Sequence, residues 1–94
     1  MYSRYELRQL GYDLEWVVGR VAEVYGIDKE EIYLKGRQKR GAEARSLLFC
    51  WAVRELGISG ASLAKRFEMS QPGIVYAVKK GEKRAKENNY QLLE

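Results

Sequence analysis

The chain of 94 residues contains no histidine, one cysteine (Cys50) and one proline (Pro72). Without histidine there is no Ser-His or Cys-His couple, and the commonest general base and zinc ligand are missing. One cysteine excludes an intrachain disulfide. The longest uninterrupted apolar run, Leu47 to Val53, is seven residues, and a bilayer span needs about 20. No charged start followed by a long apolar stretch marks a secretory signal. These absences lead to the expectation of a cytoplasmic protein with no catalytic residues, metal or cofactor. Strand alternation with period two is not found either, and internal repeats and low-complexity tracts are missing.

What is present is charge, unevenly placed. Residues 1–34 hold four basic and seven acidic side chains, a balance of −3. Residues 35–94 hold thirteen basic and six acidic, a balance of +7. A basic segment of this kind suits a polyanionic partner, most often nucleic acid. At this length a single domain is expected.

The periodicity predicts five helices in an all-α bundle, between a lead-in segment (1–12) and a tail (88–94). Asp13 caps a helix from Leu14 to about Tyr25, with Leu14, Val17, Val18, Val21, Ala22 and Tyr25 on one stripe and Gly26 as its stop. Asp28 and Glu31 stand at capping-box spacing before a short helix to about Tyr33. Lys35 to Gly41, basic and bracketed by glycines, reads as a loop. A central helix follows from about Ala42 to Leu56, buried nearly all round, with Phe49, Cys50 and Trp51 in the core. Trp16 lies off the stripe of its helix, as a second core contact or a surface anchor. Ser59 caps a helix to about Phe67, and Ser70 caps one from Gln71 to about Lys86. Beyond it, from Glu87, the tail is expected to fray.

Residues 60–78, GASLAKRFEMSQPGIVYAV, have the pattern of a helix-turn-helix. Ala64 is the small residue where the helices meet, with Leu63 and Phe67 beside it. Met69 is placed to plug the gap, and Ile74, Ala77 and Val78 form the inner stripe of the second helix. Glu68 stands where many such turns have a left-handed glycine, so a longer or differently shaped turn is expected. On the outer face of the last helix, Pro72, Tyr76, Lys79 and Lys83 are spaced four, three and four apart, with Lys80 beside them. Ser70, Gln71, Pro72 and Gly73 form the turn that would enter a major groove. Gln71 has the donor and acceptor to read adenine, and Tyr76 suits a phosphate or a thymine methyl. Lys79, Lys80, Lys83, Arg84 and Lys86 would neutralise phosphates. The basic loop 35–40, with Arg37, Lys39 and Arg40, suits a minor groove, and Arg45 completes the candidate contacts. The expected function is sequence-specific binding of double-stranded DNA; the alternative is a helical protein-interaction module.

Residues 14 to 86 resemble the C-terminal DNA-binding domain of the bacterial replication initiator DnaA. The shared order is a helix with V-A-E-V-Y, a short capped helix, a basic loop, a long helix ending R-E-L and a helix-turn-helix. That resemblance implies a loop arginine in the minor groove, where Gln38 stands at the matching place here. The family signature G-G-R-D-H-T-T-V after phenylalanine is E-M-S-Q-P-G-I-V after Phe67. Gln71, Pro72 and Gly73 replace the Asp, His and first Thr that read bases, so a different DNA sequence is implied. No phosphate-loop motif is present. The run S-Q-P-G-I-V-Y-A-V-K-K-G-E-K is similar to the C-terminal tail of REP-associated transposases, which follows a histidine-containing tyrosine nuclease. By that resemblance the chain is a nuclease-free, nucleoid-associated tail for transposon-end or hairpin DNA.

Overall fold

Asp13 is extended, and its carboxylate accepts the Trp16 backbone N–H at 2.9 Å. This satisfies a helix-start donor that has no partner inside the helix. The helix it opens ends where Gly26 turns left-handed (φ 64°) and its N–H reaches the carbonyls of Ala22 and Glu23. Ile27 N–H closes the turn on Ala22 O at 3.0 Å.

A computed structural model describes residues 4–33 and 39–92. Those residues form an all-α bundle of six helices with no strand: α1 (Arg4–Gln9), α2 (Leu14–Tyr25), α3 (Lys29–Tyr33), α4 (Lys39–Arg54), α5 (Gly60–Phe67) and α6 (Gln71–Asn88). The five expected helices are all there. The sixth, α1, lies in the lead-in segment, and its Leu7 is only 2% exposed. The first twelve residues thus contribute to the core.

The central helix α4 buries every residue from Ser46 to Ala52, including Phe49, Cys50 and Trp51. Its most extensive packing is on α6, and α2 and α3 also pack against it. Trp16 turns out to be a second core contact, with its ring 4.4 Å from that of Tyr12 and edge-on to it.

Two boundaries differ from expectation. First, α4 begins at Lys39, so Lys39, Arg40 and Gly41 belong to a helix; the rest of the expected loop, 34–38, lies outside the described residues. The reason is tertiary. Gly41 is buried, and a Cβ there would stand 3.3 Å from the Glu31 carbonyl oxygen. One turn later Arg45 Nη1 donates to Ile32 O at 3.3 Å. The start of α4 is therefore held against α3. Second, the tail does not fray at Glu87. The last helix runs to Asn88 with left-handed Asn89 as its cap. Leu92 is buried, the Tyr90 ring packs 5.7 Å from Tyr25, and Arg20 donates to Gln91 O at 3.0 and 3.3 Å. The chain is clasped to α2 through Leu92.

The turn between α5 and α6 is three residues, Glu68 to Ser70. It is not lengthened to accommodate a non-glycine residue. Glu68 itself takes the left-handed conformation (φ 54°, ψ 47°), with its N–H on Ala64 O, and Met69 N–H shares that carbonyl at 2.8 Å. A left-handed L-residue costs about 1–2 kcal/mol, while glycine costs about 0.4–1 kcal/mol through the unfolded chain. Glu68→Gly is expected to raise stability by about 0.5–1 kcal/mol, seen as a higher midpoint in urea unfolding with unchanged slope. An unchanged or lower midpoint would mean that this turn carries no strain. Met69 is exposed and does not plug the helix junction; Leu63, Ala64, Phe67, Ile74, Ala77 and Val78 close it as expected.

Burial, reinforced by nearby Glu82, pushes the Cys50 thiol up to about 11 from 9.0. Because its folded value is raised, the stabilisation is complete below pH 9 and is lost as pH rises towards 11. Tyr25, pushed up to about 12 mainly by burial, acts in the same direction above pH 10. Stability is thus expected to fall steadily between pH 9 and pH 12, and Cys50 to resist thiol reagents until the chain unfolds. Rapid labelling of Cys50 in the native protein at pH 8 would contradict that burial.

Candidate nucleic-acid interface

Ser70 starts α6 by accepting the Gly73 N–H on its Oγ at 3.1 Å. Its oxygen is thereby engaged in the cap, with the O–H still able to donate. Gly73 has an internal reason to lack a side chain, since a Cβ there would lie 3.0 Å from that Oγ. Pro72 sits in the first turn, where its missing N–H is no loss. One face of α6 then turns inward through Ile74, Ala77, Val78 and Gly81. This leaves Gln71, Pro72, Val75, Tyr76, Lys79, Lys80 and Lys83 exposed. Pro72, Tyr76, Lys79 and Lys83 share the outer face, as their spacing requires.

Val75 was not singled out in the sequence, although it lies three residues from Pro72 and four from Lys79. It is 53% exposed and Tyr76 is 68% exposed. Two apolar side chains thus face solvent in the middle of the stripe. Lys65, on the exposed side of α5, is a further cation beside the turn.

Tertiary contacts divide the five cations of positions 79–86. Arg84 Nη2 pairs with Glu43 of α4 at 3.2 Å. Lys86 Nζ lies 3.4 Å from Glu82, which also holds Arg54 of α4 at 3.3 Å. Arg84 is thereby tied to α4, while Lys86 remains exposed and shares a single carboxylate with Arg54. Lys79, Lys80 and Lys83 have no ion pair among the described residues. Glu82, three residues past Lys79, is held by Arg54 and Lys86, and the next acid along the helix is Glu87, one turn past Lys83.

The remaining candidates scatter. Lys39 and Arg40 are exposed in the first turn of α4. Arg37 lies outside the described residues. Arg45 is half-buried, and its bond to Ile32 O gives it a structural task in place of a surface contact. Burial also lowers its pKa.

Among the described residues no three His, Cys, Asp or Glu side chains cluster as metal ligands. No helix there is long and apolar enough to cross a membrane. A shallow hollow between α4 and the end of α6 includes Cys50, Arg54, Glu55, Glu82, Lys86 and Tyr90, and Arg54 and Lys86 both face Glu82 there. No protein-family model, curated protein or solved structure matches the chain.

Proposed function

We propose that this chain binds double-stranded DNA, with α5 and α6 acting as a helix-turn-helix and α6 entering the major groove. The observation that carries the reading is the single exposed face of α6. Lys79, Lys80 and Lys83, which have no ion pair among the described residues, continue a stripe that begins with Gln71, Pro72, Val75 and Tyr76. Cations without an ion pair among the described residues are available to neutralise phosphates and release the counterions of a duplex. A short uncharged stretch ahead of them suits base edges. Lys39 and Arg40 offer a second contact from the start of α4. The sequence resemblance favours transposon-end or hairpin DNA as the target, bound by a nucleoid-associated protein.

Fluorescence-anisotropy titration with random-sequence duplex and hairpin DNA at two salt concentrations tests this. Binding that weakens steeply with salt is the expected result. No binding at low salt would overturn the reading. It would favour the alternative, a helical protein-interaction module using the exposed Met69, Val75 and Tyr76.

A further inference from the structure

Resting on the reading of α6 as the helix that enters the major groove, we infer that its first two turns select A·T pairs by contact with thymine methyl groups. From Gln71 to Val78 there is no charged side chain. Ile74, Ala77 and Val78 are buried and Gly73 has no side chain, so a groove would meet one amide, Gln71, two apolar groups, Pro72 and Val75, and the Tyr76 ring with its terminal hydroxyl. The base code of the major groove then decides the matter. Guanine is read by the paired donors of arginine or lysine, and cytosine by a carboxylate. These two turns carry neither. Adenine is read by the paired donor and acceptor of an amide, which Gln71 supplies, and thymine is distinguished by its C5 methyl against an apolar side chain.

The placement agrees with the composition. Pro72 and Tyr76 are separated by about 6 Å along the helix axis, close to two base-pair steps. Val75 lies at one edge of that face, about 60° round the helix from Pro72 and about 100° from Tyr76. Val75 and Tyr76 expose more than half their surface, and methyl contact would remove it from water. Lys79, Lys80 and Lys83 follow from the third turn onward, where they would meet the flanking backbone and contribute no base preference.

The test compares short duplexes of alternating A·T pairs, clamped by G·C ends, with the same duplexes carrying deoxyuridine for thymidine. Uracil removes the C5 methyl and leaves the hydrogen-bonding groups of both grooves in place. Two contacted methyls predict binding about tenfold weaker to the uracil duplex. The V75A/Y76A double variant, altered only at exposed positions, should bind both duplexes within about twofold of each other. Equal affinity of the unaltered protein for the two duplexes, with salt-dependent binding intact, would overturn methyl readout and leave the DNA reading standing. An undiminished preference for thymine in the double variant would overturn its assignment to these residues. Failure to bind either duplex at low salt would remove the DNA reading, and this inference with it.

Discussion

Gly81→Ala is expected to destabilise the protein by about 3 kcal/mol or more, since a Cβ there meets closer backbone than at any other described glycine. Gly81 is buried where α6 crosses α4. A Cβ there would overlap the carbonyl oxygen of Ser46 and stand 2.6 Å from its carbonyl carbon and 3.0 Å from the Leu47 nitrogen. These atoms are backbone in the middle of a buried helix. They cannot retreat as a flexible side chain would, so either α6 shifts away from α4 or the hydrogen-bond ladder of α4 breaks. For a domain of this size about 3 kcal/mol corresponds to a fall in Tm of roughly 12–24 °C, a large part of a total stability of about 5–14 kcal/mol. Gly19→Ala in α2 is the control. There a Cβ would meet only the end of the Lys29 side chain, at 3.4 Å. The ordinary helix preference of alanine over glycine should then raise stability by about 0.5–1 kcal/mol. Thermal melts followed by circular dichroism read both variants. A melting curve for Gly81→Ala like that of the unaltered protein would mean that the two helices do not cross at this residue.

The second large effect is on binding. Changing Lys79, Lys80 and Lys83 together to alanine is expected to flatten the salt dependence of DNA affinity by close to 3 in log–log slope. At about 0.1 M salt it should weaken binding by roughly a hundredfold or more. The loss should be similar for all sequences, because phosphate contacts carry no base information. All three positions are exposed and lack ion-pair partners among the described residues. Alanine is also a better helix former than lysine. The variant should therefore fold with stability within about 0.5 kcal/mol of the original. Changing Arg84 separates surface charge from structure. Its pairing with Glu43 of α4 means that its loss should lower stability while leaving the salt slope nearly unchanged. An unaltered slope in the triple variant would eliminate α6 as the phosphate-contacting element.

The caps show how much of the fold could be read directly. Asp13, Ser59 and Ser70 each accept the backbone N–H three residues on, an interaction that needs nothing outside its own turn. Gly26 ends α2 by the same kind of local rule, and the inward stripes of α2, α5 and α6 follow from helical spacing. The polar and basic outer face of α6 was legible for the same reason. The exposure of Val75 was open to the same geometry, but valine in an apolar stretch reads as core.

Burial and charge pairing across elements were not legible in this way. Five cations between 79 and 86 look alike along the chain. The Glu82–Lys86 pair follows from helical spacing, but only the packing of α6 on α4 brings Glu43 to Arg84 and Arg54 to Glu82, and Lys79, Lys80 and Lys83 have no ion pair among the described residues. Arg45 reads as a surface cation until α3 presents the Ile32 carbonyl to it. Lys39 and Arg40 read as loop until Gly41 seats α4 against α3, and residues 89–92 read as a loose tail until Leu92 is buried. The sequence by itself determined the helices, most of their ends and the face of α6 that points outward, because caps and periodicity act over three or four residues. The tertiary structure alone decided that Arg84 is tied down and that Glu82 also holds Arg54, because Glu43 and Arg54 lie on α4, far back in the chain, and meet α6 only when the helices pack.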